Sequence, residues 1–332
     1  MANQITARQR MAQRTAQRTH SSGNTLGVKS FPVTRRLGLL AGGTALLLGC
    51  LTNPALAKDP FRTSNPKPIG DKTEAAFKAI FEKGDYSPKT LELLDQAAAK
   101  EGSDPLVYAL KSTLAFMQRD GGTFTSNATL TRETAEKLAS SDPLRGNLYI
   151  AVGNFLEAAS TINSQGMVRG MPTALGKVQD AFKKLDEAEK VSPNDPELNL
   201  VKGAMDLMLA VNVSLPLSNP DQAIERLEQK AGPKYIADRS LAWGYRDLKK
   251  LDKALASVDR ALGTTPDNPE VQYLKGQILY KQGKFSDSIK FFEQALKKES
   301  QLPAGLVNQM KRELRLANQR AQAGQKPADK KP

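Results

Sequence analysis

The feature that most constrains the fold is a pair of adjacent segments, 235–268 and 269–302, that resemble each other at a spacing of 34 residues. Small and apolar residues recur at matching positions: Ala254 and Ser288, Val258 and Phe292, Ala261 and Ala295, Leu262 and Leu296. Steps of four, three and one residues place each set on one face of a helix. A helix hairpin of this length buries such a face by stacking on a neighbour. The spacing therefore predicts an all-α stack of hairpins.

Four dipeptides mark helix starts: Asp104-Pro105, Asp142-Pro143, Asp195-Pro196 and Asn268-Pro269. Each places a side-chain oxygen at the N-cap and a proline at the first helical position, where a missing N–H costs nothing. With the periodicity between them, these starts predict six hairpins: 72–101, 104–140, 142–191, 195–231, 233–265 and 268–298. A last helix is expected over 303–322, and 163–171 and 212–219 are expected as insertions between paired helices.

The two repeating segments resemble tetratricopeptide repeats. The residues that carry this resemblance are Leu241, Tyr245, Ala254, Ala261 and Pro266, then Gly276, Phe285, Phe292 and Ala295. The pattern departs from the family at Asp238 and Gln272, which replace an aromatic residue, and at Ser288 and Ser300. The whole chain resembles an uncharacterised exported repeat family of cyanobacteria.

The resemblance implies a right-handed, tetratricopeptide-like α-solenoid of about six hairpins. Residues 72–231 would form divergent hairpins, with 72–141 either divergent repeats or a separate helical domain. Residues 232–302 would hold the two clear repeats, and the amphipathic helix over 303–322 would cap the open end of the core. A flexible lead-in is expected over 58–71, which carries several prolines, and a disordered basic tail over 323–332.

Residues 1–57 have the pattern of an export signal. They contain seven basic residues and no acidic one, and an apolar run over 37–51 follows Arg35-Arg36. The small residues Ala55 and Ala57 predict cleavage before Lys58. The paired arginines resemble a twin-arginine signal, and the general secretory route stays open. Cys50 lies in a lipobox-like sequence, so lipidation there is the alternative to cleavage after Ala57. We expect an exported protein of the periplasm or thylakoid lumen, with a membrane-attached lipoprotein as the alternative form.

Composition excludes several classes of function. Of the 48 basic residues seven lie in the signal, so 58–332 carries 41 basic and 35 acidic side chains, too balanced to predict nucleic-acid binding. The sole histidine, His20, and the sole cysteine, Cys50, both precede the predicted cleavage. A mature chain without them excludes His- or Cys-based metal sites and nucleophilic centres. We therefore expect no cofactor, no metal and no catalysis. The alternative is a carboxylate-dependent cell-envelope enzyme or its accessory subunit.

The resemblance also implies a binding groove, because the first helix of each tetratricopeptide hairpin lines a concave surface. The matching positions form a candidate partner-binding groove: Arg239, Trp243, Arg246, Tyr273, Gln277, Tyr280 and Lys281. Aromatic rings beside guanidinium groups can hold an extended peptide, with the arginines pairing with its carboxylates. The alternative is that Trp243 and Tyr273 pack between helices. The predicted function is a non-catalytic scaffold with a protein or peptide partner, reaching a membrane only through lipidation or a bound membrane protein.

Overall fold

The structure, a computed structural model, describes residues 59–212 and 219–325. Within these ranges the chain is all-α and contains no strand. The helices are α1 (Asp71–Phe81), α2 (Pro88–Glu101), α3 (Pro105–Gln118), α4 (Gly121–Leu138), α5 (Pro143–Val191), α6 (Pro196–Asn212), α7 (Pro220–Glu225), α8 (Lys234–Asp247), α9 (Leu251–Thr264), α10 (Pro269–Lys281), α11 (Phe285–Leu296) and α12 (Ala304–Gln325). A π-helical turn, Arg226–Lys230, follows α7, and a 3-10 turn, Glu299–Gln301, precedes α12. In the part of the chain described here, no helix is both long and apolar enough to cross a membrane.

Consecutive helices pack against each other as hairpins, and α12 packs on α11. The long helix α5 is itself a hairpin, because Gly166 interrupts it. The φ of 75° and ψ of 166° at this residue form a backbone conformation that glycine adopts readily and other residues rarely adopt. Across this break Lys177 contacts Glu157, and Lys184 Nζ donates to Asn147 Oδ1 at 3.3 Å. The predicted all-α stack of about six hairpins with a C-terminal capping helix is therefore confirmed. The predicted insertion at 163–171 is helical on both sides of Gly166.

The four predicted helix starts are confirmed. Asp104, Asp142 and Asn268 are N-caps whose side chains accept hydrogen bonds from backbone N–H groups of the first turn. Asp195 does the same for α6, since its Oδ1 accepts from the Leu198 N–H at 3.0 Å. Each start thus follows from chemistry within four residues of chain.

Small residues let the helices of the two repeats approach closely. The predicted faces are buried in α9 and α11, and Phe292 is fully buried. A Cβ on Gly276 would lie 2.6 Å from the Phe292 ring, so the ring occupies the space that a larger residue would need. Burying one such ring contributes about 2–3 kcal/mol, which makes this glycine and ring a matched pair.

The lead-in is packed rather than flexible, so that prediction is wrong for residues 59–70. Phe61 and Ile69 are buried in the main core, and Phe61 packs edge-on against Phe77 with ring centroids 4.9 Å apart. Arg62 is also buried and forms ion pairs with three carboxylates. The prolines do not make the segment mobile because these three side chains anchor it.

The stack closes on itself through contacts between the first hairpin and the last repeat. Asn268 Nδ2 donates to the Phe81 carbonyl at 3.0 Å, and the Tyr86 N–H donates to the Gln301 carbonyl at 2.7 Å. Tyr86 Oη donates to Glu270 Oε2 at 2.6 Å. Residues of α1 to α4 also share one continuous core with the later hairpins. The early region therefore packs as part of the same body.

Several predictions fall outside the described residues. The export signal, with the cleavage residues Ala55 and Ala57 and the lipidation candidate Cys50, precedes residue 59. Most of the expected insertion at 212–219 lies in the gap between the described ranges, and the expected tail is described only as far as Gln325, which ends α12.

Candidate functional site

The predicted groove residues lie on α8 and α10, and the structure brings them together. Five of them line one cleft of about 480 Å³: Arg239, Trp243, Arg246, Tyr273 and Gln277. Tyr280 and Lys281 line a smaller depression of about 330 Å³ beside it, which shares Arg246 and Gln277 with the cleft. We call the larger space the Trp243 cleft. Its remaining walls come from α6 and from α12, the capping helix.

The arginines of the Trp243 cleft are already paired with side chains of the same chain. Arg246 Nε and Nη2 donate to the two carboxylate oxygens of Asp247 at 2.8 and 2.9 Å. Its Nη1 donates to Gln277, whose own Nε2 donates to Glu313 Oε2 of α12 at 2.9 Å. Asp247 of the same helix and Gln277 of α10 therefore already supply acceptors to Arg246, and pairing of this guanidinium with a partner's carboxylate stays a prediction.

Arg239 belongs to the contact that closes the stack. Its Nη2 lies 2.9 Å from Glu270 Oε2, the same oxygen that accepts from Tyr86. Burial alone would lower the pKa of Arg239, but Glu270 and Tyr86 outweigh it and the pKa is raised, so the side chain stays cationic. One wall of the Trp243 cleft is thus held in place by the first hairpin.

The two aromatic residues have different environments. Tyr273 is buried and packs against Phe292 with ring centroids 5.6 Å apart, so for this residue the inter-helix packing alternative holds. Burial and the Glu313 carboxylate raise its pKa, which keeps the phenol protonated. Trp243 is half-buried, lines the cleft and lies under the Arg246 guanidinium at 6.0 Å from ring centroid to Cζ. The indole therefore presents accessible apolar surface.

Two hydrogen-bond donors in the cleft wall lack partners. Arg239 Nη1 and Tyr273 Oη are buried, and neither forms a hydrogen bond to any group in the described ranges. An unsatisfied buried donor costs about 1–3 kcal/mol, and because both atoms are covered, a ligand's oxygen acceptor could reach them only after a small movement of these side chains. The apolar side chains of Leu207, Leu274 and Leu306 line the same space. The cleft can hold an apolar side chain beside backbone carbonyl groups.

A buried ion cluster at the lead-in was missed by sequence reasoning. Arg62 donates to Asp195 at 2.7 and 2.8 Å, to Asp59 at 2.9 Å and to Glu197 at 2.8 Å. Glu197 also accepts from the Tyr149 hydroxyl. Asp195 and the lead-in border a cleft of about 890 Å³ at the starts of α5 and α6. The N-cap aspartate was visible in the sequence, but its distant partner Arg62 was not.

A second arginine extends this cluster, in which two guanidinium groups contact four carboxylates. Arg145 Nη2 donates to Asp104 Oδ1 at 3.0 Å, and its Nε lies 3.5 Å from Glu197 Oε2. Burial alone would lower the pKa of Arg145, but Glu197 and Asp104 outweigh it and raise the pKa well above its usual value. A general acid and base need separated pKa values and access to substrate, whereas Glu197 is fully buried between cations. The arrangement is that of a structural clamp. Within residues 59–212 and 219–325, no group of His, Cys, Asp and Glu side chains is arranged to hold a metal ion.

One comparison with known proteins agrees with the resemblance of the repeats. The family model described as tetratricopeptide repeat matches residues 239–303, a range that includes all seven candidate groove residues. No curated protein matches the chain. Similar solved structures include a thermophilic TPR protein of Thermus thermophilus, with 17% identity, 75% of this chain and 98% of that chain covered and a TM-score of 0.31. Another is the APC/C hetero-tetramer Cut9-Hcn1, with 14% identity, 68% of this chain and 45% of that chain covered and a TM-score of 0.31.

Proposed function

We propose that this protein is a non-catalytic interaction scaffold that binds a peptide segment of a partner protein in the Trp243 cleft. The observation that carries the proposal is the half-buried indole of Trp243 in a cleft with two unpartnered donors, Arg239 Nη1 and Tyr273 Oη. The match of residues 239–303 to the tetratricopeptide repeat supports a binding role. Aromatic anchors in partly closed clefts commonly dominate binding energy.

The pairing of the arginines defines the kind of peptide. Because Arg246 is bound to Asp247 and Arg239 to Glu270, an acidic side chain would have to displace an existing carboxylate. We infer that the peptide inserts an apolar side chain against Trp243 and offers main-chain carbonyl oxygens to the two free donors. One such desolvated anchor contributes on the order of 2 kcal/mol.

We further propose that the scaffold acts outside the cytoplasm and that its partner is an exported or membrane protein. Support comes from the sequence of residues 1–57, with its paired arginines and small residues at Ala55 and Ala57. Membrane attachment would come from lipidation at Cys50 or from the partner. N-terminal sequencing of the processed protein tests this: a start at Lys58 or at a modified Cys50 supports export, and an unprocessed N-terminus contradicts it.

The cleft is tested with the fluorescence of Trp243, which is the sole tryptophan of the chain and so reports directly on the site. Proteins that co-purify with the wild-type chain are identified, and overlapping peptides covering them are titrated against it. We expect at least one peptide to shift or quench the emission, and Trp243→Ala to lose capture of the protein from which that peptide comes.

The matched control is Phe291→Ala, which removes a partly exposed ring from α11 outside the cleft. It should retain the same partner. Equal capture by wild type and Trp243→Ala, with no peptide changing the emission, would overturn the proposal.

A further inference from the structure

The hairpin formed by the two halves of α5 carries an apolar groove that lies apart from Trp243 and outside the family match. Its 49 residues exceed the 34-residue unit of the later repeats. Both halves present large or small apolar side chains at spacings of four and three residues. These are Phe155, Ala159 and Ile162 on the first half, and Met171, Leu175 and Val178 on the second. Together with residues of α3 and α6 they enclose about 360 Å³.

The end of this groove exposes more apolar surface than a buried hairpin would. Phe116 and Met167 line it and are each 59% exposed, and Val168 beside them is 90% exposed. Adjoining exposed apolar side chains of this size are typical of an interaction surface. The charged residues of the hairpin are absent from the lining, so the groove itself selects for apolar groups.

The geometry suits a third helix. Each half of the hairpin offers anchors at i, i+4 and i+7, a rise of about 10 Å or two turns. Ala158, Ala159 and Ala174 lie in the seam between the halves, and small residues let helix axes approach to about 8–10 Å. An amphipathic helix with matching spacing can lay its apolar face into such a seam.

Charge at the rim defines the outer face of that helix. Arg169 lies between Met167 and Met171, and Arg119 lines a neighbouring depression that shares Phe116 with the groove. Both arginines are exposed, and neither forms an ion pair with any other residue that the structure describes. Residues 158–179 contain no Asp or Glu, whereas Asp120 lines the same depression as Arg119, so the unopposed positive charge at this rim is that of Arg169. Acidic side chains beside the apolar anchors of a partner would therefore be attracted to the rim.

We propose that this groove docks one amphipathic helix of a partner protein, about two turns long, with bulky apolar residues at i, i+4 and i+7 and acidic residues flanking them. This site goes beyond the peptide-binding function of the Trp243 cleft and uses different side chains.

The test uses three fluorescein-labelled synthetic helical peptides of 14 residues and the full chain. The probe peptide has Leu at i, i+4 and i+7 with Glu on its outer face; one control peptide replaces Leu with Ser, and the other replaces Glu with Lys. We expect the probe peptide, called the Leu/Glu peptide, to bind. Replacing its Leu residues with Ser, or using the protein variant Leu175→Glu, should weaken binding by about tenfold or more. Arg169→Glu should weaken the Leu/Glu peptide about two- to fivefold and strengthen the Leu/Lys peptide.

Matched variants separate this site from loss of fold and from the Trp243 cleft. Met167→Asp changes a side chain that is already 59% exposed, so it should keep the wild-type thermal unfolding and still lose binding. Leu130→Asp, at a 39% exposed position of α4 outside the groove, should bind normally, and so should Trp243→Ala.

The proposal is overturned if the Leu/Glu peptide does not bind, or if Met167→Asp binds it like wild type. It is also overturned if Met167→Asp instead abolishes a wild-type dimer in sedimentation velocity, which would make the occupant a second copy. The proposal is likewise overturned if Met167→Asp loses the co-flotation of the wild type with anionic phospholipid vesicles but still binds the Leu/Glu peptide, which would assign the groove to a lipid surface. Binding lost in Trp243→Ala but kept in Met167→Asp would place the peptide in the Trp243 cleft.

Discussion

Replacing Arg62 with Met tests whether the buried ion cluster holds the lead-in onto the helices. The Arg62 side chain is 4% exposed and donates four hydrogen bonds, to Asp59, Asp195 and Glu197, at 2.7–2.9 Å. Met keeps the unbranched apolar stem of the side chain and removes the cation, which leaves three buried carboxylates with Arg145 as the remaining cation near Glu197. Removing one partner of such a buried pair costs about 3–5 kcal/mol.

That magnitude is smaller than the sum of the bonds. Hydrogen bonds to charged groups contribute roughly 1.5–3 kcal/mol each. The folded variant, however, no longer bears the cost of removing a guanidinium from water, which offsets part of that loss. A loss of about 3–5 kcal/mol is a large share of the roughly 5–15 kcal/mol that typically separates folded from unfolded domains. The variant should therefore unfold at a lower urea concentration and expose the lead-in more readily.

The pH dependence of this loss has a definite sign. Burial alone would lower the pKa of Arg62, but the carboxylates of Glu197 and Asp195 outweigh it and the pKa is raised. A raised pKa gives a contribution that is fully present below the pKa of an unfolded arginine, far above neutral pH, and is lost only as pH rises through the still higher folded value. The difference between Arg62→Met and wild type should thus be constant across neutral pH.

Urea unfolding followed by circular dichroism measures the free energy, and limited proteolysis reports release of the lead-in. We expect Arg62→Met to lose about 3–5 kcal/mol and to be cut within 59–70. Arg169→Met, which removes an exposed arginine, is the control and should stay within about 0.5 kcal/mol of wild type. A loss below about 1 kcal/mol for Arg62→Met, with the lead-in still protected, would refute the reasoning.

Three further predictions concern other buried groups. Burial raises the pKa of Asp206 to about 6, so its protonated form stabilises the fold below about pH 4 and this contribution is lost as pH rises through 6. Asp206→Asn should therefore raise the free energy of unfolding at pH 8 by about 1–2 kcal/mol. Urea titrations that show the same difference between variant and wild type at pH 4 would contradict this. Tyr86→Phe removes the hydrogen bond to Glu270 that joins the first hairpin to α10, and chemical denaturation should show a free energy of unfolding lower by about 1–2 kcal/mol. An unchanged denaturation midpoint would show that this bond does not stabilise the contact between the first hairpin and α10. Gly276→Ala places a Cβ within 2.6 Å of the Phe292 ring and should lower the free energy of unfolding by about 1–3 kcal/mol. An unchanged melting temperature would contradict this.

The helix starts and the hairpin faces could be predicted because each depends on neighbouring residues. An aspartate before a proline caps its own helix within one turn, as Asp104 and Asp142 do. The small and apolar steps of the repeat put Ala254 and Val258 on one buried face whatever lies opposite. The gathering of groove residues on α8 and α10, Trp243 among them, was implied by the resemblance to the tetratricopeptide repeat.

The state of those groove residues was decided by tertiary structure. Arg246 pairs with its chain neighbour Asp247 and also donates to Gln277, which in turn donates to Glu313 of the capping helix. Arg239 is paired with Glu270 beside Tyr86 of the first hairpin. These partners have no periodic signal, because ion pairs between separate helices depend on how the stack closes.

The sequence by itself determined the elements, their order and the faces that they bury, since backbone capping and helical periodicity are local. Only the tertiary structure decided that the lead-in is anchored through Arg62 and that the stack closes between Tyr86 and Glu270, 184 residues apart. Contacts over such separations are set by the summed packing of every intervening hairpin, which no single segment of the sequence encodes.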